Sequence, residues 1–306
     1  MKLLRAIQQY GAMKQRMGIS FKEGMKVLQT FRGHMGDRPV RSILKWHVLA
    51  FLDRSILSDV TWLLRYRVLR AFFEYRMVRG ELSELPMPIP RQPGTPRAFV
   101  PFIYSVLELK QLLHYAAQRR PATRANGFGS HTFCALLLFL YGTGSRINET
   151  LALKYKDVDL RRGTVTFRPH IRNRTRTIPI DKHLCESLKK YAVSIHRGDF
   201  THFFVGRAGR AIRPNALTVS FQTIRGKSRI ARQAEFSRQP RLQDFRRTFA
   251  VHCMRSWLQE GKDLRSMLPV LGAYLGHVSP VSTEAYLSVT PERFWKQLSQ
   301  LGSASV

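Results

Sequence analysis

Three short stretches of this sequence carry side chains that can hold an anion or attack one. The first, Tyr141-Gly-Thr-Gly-Ser-Arg-Ile-Asn-Glu-Thr-Leu151, sets Arg146 just beyond a glycine-rich turn, with Glu149 one helical turn further on. An arginine so placed can offer its planar fork of N–H donors to a phosphate. Arg146 and Glu149 at i, i+3 can equally form a surface ion pair. The second stretch is Arg241-Leu-Gln-Asp-Phe-Arg-Arg-Thr-Phe-Ala-Val-His252. The third is Tyr274-Leu-Gly-His-Val278 followed by Ser282-Thr-Glu-Ala-Tyr-Leu287, so that His277 precedes Tyr286 by nine residues. Each has a plain structural explanation: Gly276-His277 can close a helix, and a lone tyrosine in an apolar helix is commonly core. The order of the three along the chain carries more than any one of them.

The elements that must position these residues are mostly helical. Residues 1–84 show apolar side chains at three- and four-residue spacing, as in Phe21 to Phe31, Ile43 to Leu52 and Trp62 to Met77. In the last of these, Arg65, Arg67, Arg70 and Arg76 fill the face opposite the apolar one, which reads as a solvated helix or a DNA-contacting one. Leu85 to Pro96 holds five prolines in twelve residues, which cannot continue a helix and predicts an extended linker over 85–99. Beyond it, helices are expected at Val106 to Gln118 and at Thr132 to Tyr141, the second apolar nearly all round and therefore buried. The β-branched runs Gly163 to Phe167 and Thr175 to Ile180 predict a small antiparallel hairpin with Arg168 to Arg174 as its basic tip. Helical spacing returns at Asp181 to Ser194, Ala216 to Ile224, Leu242 to Leu258 and Arg265 to Leu275, with Pro269 predicting a break or kink in the last.

Fifty-one Lys and Arg against 20 Asp and Glu give a net charge of +31. Solubility in a small domain needs only about 2 to 8 charges, so this excess implies a polyanionic partner. The basic residues are spread along the chain instead of gathering in one amphipathic or juxtamembrane segment, which favours nucleic acid over a membrane surface. Hydrophobic residues make up 44% of the 306, enough for real cores. Cys134, Cys185 and Cys253 stand far apart without a CxxC pair, arguing against a disulfide framework or a zinc site. With no signal-peptide core at Met1 to Gln9 and no apolar run near the ~18 residues of a membrane span, a cytoplasmic, nucleoid-associated protein is expected.

Taken in order, Gly-x-Arg-x-x-Glu-x-Leu, a hairpin, Arg-x-Thr-Phe-Ala, Leu-Gly-His and a tyrosine nine residues on, the chain resembles the tyrosine recombinase (phage integrase) family over roughly residues 100–290. The resemblance implies a mainly α fold with a small antiparallel β-sheet. It implies a helical core-binding domain over 1–84, the proline-rich linker 85–99, and a catalytic domain with a C-terminal helix over 100–306. Arg146 and Arg246 would clamp a DNA phosphate, His277 would stand as the third-box histidine, and Tyr286 would be the nucleophile, forming a 3′-phosphotyrosine without cofactor or metal. Two arginines suit the charge that gathers on the non-bridging oxygens during displacement. A phenol, with a pKa near 10, leaves more readily than a sugar hydroxyl when the strand is resealed. The implied partners are double-stranded DNA and further copies of the chain, a tetramer on two DNA sites, acting in integration, excision or transposition of a mobile element.

The chain departs from the family at two proton-transfer positions. Gln243 stands where the family usually carries a histidine, three residues before Arg246; its amide can hydrogen-bond a phosphate but cannot exchange a proton near neutral pH. The hairpin tip lacks the family's lysine and offers His170, Arg172 and Arg174, as DNA-backbone contacts or as charge stabilisers. The sequence between Arg246 and His277 is longer than usual. Pro291 to Leu301 is expected to form a helix that docks on a neighbouring protomer or packs on its own domain. A catalytically impaired DNA-binding relative and a topoisomerase-like relaxing enzyme are the alternative readings.

Overall fold

The structure, a computed structural model, describes residues 1–54, 58–91, 102–119, 127–168, 175–195, 201–228, 230 and 239–277. The chain divides into two compact units, Met1–Arg97 and Ala98–Val306.

The first unit is built of helices α1 (Leu3–Arg16), α2 (Lys22–Met35), α3 (Lys45–Leu52) and α4 (Asp59–Val78). Their apolar faces meet in a core dominated by aromatic rings: Tyr10, Phe31, Phe51, Trp62, Phe72 and Phe73 are all fully enclosed. Edge-to-face contacts between Tyr10 and Phe72 and between Phe31 and Phe51 lock the helices together. Helix α4 begins where the Ser58 hydroxyl accepts the Thr61 backbone N–H, and Asp59 in the first turn complements the helix dipole. Its arginines do not share one environment. Arg70 is solvated and paired with Glu74 at 2.7 Å. Arg76, expected on the polar face, is wholly buried instead. Its guanidinium donates to Gln9, to Glu81 and to the Ala6 carbonyl, and lies 5.2 Å from the Tyr75 ring. Helical spacing alone cannot reveal this, because the acceptors come from α1 and from the turn after α4.

The second unit packs helices around the apolar α6 (Ser130–Thr143), whose Phe133, Leu136, Phe139 and Leu140 are buried. Helix α5 (Val106–Ala117) opens on a reciprocal cap between Ser105 and Glu108. The short α7 (Ile147–Leu151) follows α6 directly. A three-stranded antiparallel sheet comes next, in the order β1 (Val158–Asp159), β2 (Thr164–Phe167), β3 (Arg176–Pro179). Val165 pairs with Ile178 and Phe167 with Arg176. The hairpin reading holds for β2 and β3; β1, two residues long, is too short to show alternation and is added by the fold. The described chain ends with α8 (Lys182–Ile195), α9 (Pro214–Lys227), α10 (Asp244–Gln259) and α11 (Leu264–Leu275).

Pro269 does not interrupt α11, contrary to the expectation of a break. Both Pro269 and Arg265, whose carbonyl loses its i+4 donor, are exposed, so water can satisfy the orphaned group. Leu271 and Leu275 meanwhile pack against Ala250, Val251 and Met254 of α10. Among the described residues, no helix is long and apolar enough to cross a membrane.

Candidate active site

The turn from α6 into α7 is held by a relay of buried hydroxyls. Thr143 donates to the Phe139 carbonyl and contacts Ser145 at 2.9 Å, and Ser145 contacts Thr150 at 2.7 Å. Gly144 takes φ +58, and a β-carbon there would meet the Phe249 ring at 2.6 Å and Leu275 at 2.8 Å. Both the left-handed backbone and the close approach therefore require glycine. This turn delivers Arg146 to the first position before α7. Its backbone N–H and its Nη1 both donate to Glu149, at 3.2 and 2.9 Å. The ion pair foreseen as the plain explanation is present, yet the Arg146 side chain remains 44% exposed.

Arg246 sits in the first turn of α10. Its Nη1 donates to the Gly144 carbonyl and its Nη2 to the Leu275 carbonyl, both at 2.9 Å. These oxygens lie at the C-terminal ends of α6 and α11, where helix dipoles concentrate negative charge, so backbone groups orient the guanidinium. The start of α10 is itself anchored: buried Asp244 accepts from the Arg241 backbone N–H at 2.7 Å and from Arg247 at 3.0 Å. Thr248 Oγ1 accepts the Tyr104 N–H.

Helix α11 closes on Gly276 at φ +69. The His277 N–H returns to the Gly272 carbonyl at 2.9 Å and the Gly276 N–H to Ala273 at 3.1 Å, a paired left-handed closure. The helix-closing reading of Gly276-His277 thus holds. Burial, and then the charges of Arg246, Arg146 and Arg176, push the His277 imidazole down to about 4. It is neutral at pH 7 and can accept a hydrogen bond or a proton.

A cleft of about 540 Å³ is lined by Arg146 and Glu149, by Pro214 and Thr218 of α9, and by Gln243 and Arg246 at the start of α10. Gln243 thus faces the same space as both arginines. Tyr286, the hairpin residues His170, Arg172 and Arg174, and the helix expected over Pro291 to Leu301 lie outside the described residues. Among the described residues no group of three or more His, Cys, Asp or Glu gathers as a metal site.

Two basic residues at the site were missed by the motif reading. Arg247 lines the cleft beside Arg246. Arg176, the first residue of β3, pairs with Glu149 at 2.8 Å and with the Tyr274 carbonyl at 3.2 Å. Its position opposite Phe167 at the mouth of the hairpin was the available signal, but both acceptors lie far away in sequence.

Residues 106–293 match the phage integrase family. The tyrosine recombinase XerA of Thermococcus kodakarensis is 28% identical over 261 residues, covering 85% of this chain and 81% of its own. Among solved structures, the Tn1549 transposon integrase in complex with transposon right end DNA superposes with a TM-score of 0.68 at 14% identity, over 98% of this chain and 99% of that one. A lambda integrase tetramer bound to a Holliday junction gives 0.66 at 15%, over 92% of this chain and 78% of that one. These two likenesses establish the fold. With the family match spanning more than half its length, the chain belongs to the phage integrase family and is an enzyme of the tyrosine recombinase class.

Proposed function

We propose that this chain cuts and rejoins double-stranded DNA at specific sites through a 3′-phosphotyrosyl intermediate on Tyr286, serving integration, excision or transposition of a mobile element. The observation that carries the reading is the convergence of Arg146, Gln243 and Arg246, from two separate motifs, on one open cleft, with His277 near enough for the charges of both arginines to lower its pKa. In this reading Arg146 and Arg246 grip the scissile phosphate and stabilise the charge that builds on its non-bridging oxygens. Arg246 is preorganised by two carbonyls and reorganises little as the phosphate reacts. His277, neutral in the free protein, hydrogen-bonds the phosphate; the anion offsets the surrounding positive charge and makes the imidazole more basic. Gln243 contributes an amide hydrogen bond where a histidine would have moved a proton.

Attack by the Tyr286 phenolate on phosphorus breaks the bond to the 5′-oxygen, leaving a 3′-phosphotyrosine and a free 5′-hydroxyl. The proton for that leaving oxygen comes from the hairpin tip, with His170 the titratable candidate and Arg172 and Arg174 able to stabilise charge or orient a water. The N-terminal helical unit acts as the core-binding domain of a DNA clamp, and strand exchange takes place in a tetramer on two sites. The lambda integrase tetramer on a Holliday junction, similar in fold, supports that assembly.

The test is a nicked suicide duplex carrying a site selected by this protein from a random-sequence pool. Wild type traps a covalent adduct and Tyr286→Phe traps none. An adduct that persists in Tyr286→Phe sinks the nucleophile assignment, and specific binding without any adduct favours the impaired DNA-binding reading.

A further inference from the structure

We infer that Arg176 is a positioning residue of the strand-cleavage site: it holds Glu149 in the pose that orients Arg146, and it ties the hairpin strand to the helix closure that carries His277. The inference rests on the proposed function and adds a residue that neither the motifs nor that reading assigns.

The geometry uses the flat guanidinium on all its edges. Nη2 donates to Glu149 Oε2 at 2.8 Å and Nη1 to Oε1 at 3.4 Å, while Nε donates to the Tyr274 carbonyl at 3.2 Å. Its face lies 4.4 Å from the Phe167 ring centre, and Phe167 is its direct cross-strand partner. A β-carbon on Gly276 would lie 2.7 Å from Nη1, so the guanidinium packs directly against the residue before His277, whose φ of +69 favours glycine. Tyr274 returns the connection by donating its hydroxyl to the Pro179 carbonyl at the far end of β3. One side chain thus joins the Arg146–Glu149 segment, the hairpin and the Leu-Gly-His segment.

Exposure separates the roles within the trio. Arg146 is 44% exposed and faces the cleft, whereas Arg176 is 14% exposed. Each Glu149 oxygen accepts once from Arg146 and once from Arg176, so neither guanidinium claims the carboxylate alone. Two cations on one anion leave a net positive charge beside the cleft; a lone Arg146–Glu149 pair would be neutral and free to swing. Burial raises the Glu149 pKa, but the bond and charge of Arg176, and then of Arg146, outweigh it and keep the carboxyl below its usual range. A lysine can meet a single acceptor well and cannot reproduce the fork.

The experiment compares single-turnover adduct formation, duplex affinity, thermal midpoint and the His277 imidazole titration followed by NMR without DNA. For Arg176→Gln the adduct rate is expected to fall on the order of 10- to 100-fold, the loss of a charge-assisted bidentate contact, with duplex affinity and thermal midpoint nearly retained. Arg176→Lys recovers part of the rate. Because part of the effect of Arg176 passes through Glu149, the loss in the double variant Glu149→Gln/Arg176→Gln is smaller than the combined losses of the two single variants. Independent, additive losses overturn the inference, and so does a parallel fall of rate, affinity and thermal midpoint.

The NMR arm does not depend on activity. His277 is faced by Arg246 of α10, Arg146 ahead of α7 and Arg176 of β3, so removing the last charge raises its titration midpoint. A midpoint that does not move overturns the placement of Arg176. Absence of an adduct with wild type instead counts against the proposed function.

Discussion

Arg76 in the N-terminal unit and Arg246 in the C-terminal unit are both arginines held by main-chain oxygens within the terminal turn of a helix, and their surroundings differ. Arg76 is completely enclosed, its charge met by Glu81 and its face bounded by Phe72 and Tyr75. Arg246 is held by the carbonyls of Gly144 and Leu275 and lines an open cleft. A guanidinium satisfied by a carboxylate inside a core is a structural cross-link. One held by the carbonyls of Gly144 and Leu275 at the wall of an open cleft can meet an anion that enters it. The difference lies in the partners rather than in the residue or its helical position.

The largest effect that can break this contrast is on chemistry. Arg246→Ala is expected to slow adduct formation by about 10³-fold, the scale of losing a preorganised donor to a charge-developing oxygen. Its measure is single-turnover cleavage at saturating protein, and a loss below tenfold would mean that the cleft is not the reacting centre. The counterpart, Arg76→Ala, empties a fully buried guanidinium site and leaves half-buried Glu81 and Gln9 without their donor, and should cost about 3 kcal/mol of stability in denaturant unfolding. Its cleavage rate per folded molecule should stay near that of wild type. A strong rate defect in fully folded Arg76→Ala would erase the distinction.

A smaller effect sharpens the account of the positive cleft through pH. The folded His277 pKa is about 4 against about 6.5 in an unfolded chain. Between those values the unfolded state binds more protons, so the stability associated with His277 is complete above about pH 6.5 and is lost as pH falls toward 4. Replacing His277 with Gln should remove about 2 kcal/mol of that acid-side decline, measured as the difference in unfolding free energy between pH 7 and pH 4. His252, half-buried against Tyr141 and also pushed down to about 4, contributes a separate decline of the same sign that His277→Gln leaves in place. An unchanged acid profile in His277→Gln would contradict the three-arginine environment.

Much of the architecture was legible from local pattern. The helices of both units follow three- and four-residue apolar spacing, α6 was recognisable as a buried helix, and β2 and β3 were marked by β-branched residues. Pro269 misled because proline's cost depends on whether the freed carbonyl can reach water, which a local pattern does not state. The two-residue β1 left no pattern to read.

For the site, the ordered motifs by themselves determined the family resemblance and named Arg146, Gln243, Arg246 and His277 as candidates, because backbone turns, caps and glycines are short-range features written in adjacent residues. Only the tertiary structure decided that Arg246 is gripped by carbonyls 102 and 29 residues away, that Arg76 is core, and that Arg176 shares Glu149 with Arg146 across 27 residues. The physical reason is that an arginine's role depends on which acceptors meet its donors. Those acceptors come from distant segments that only packing brings within hydrogen-bonding range.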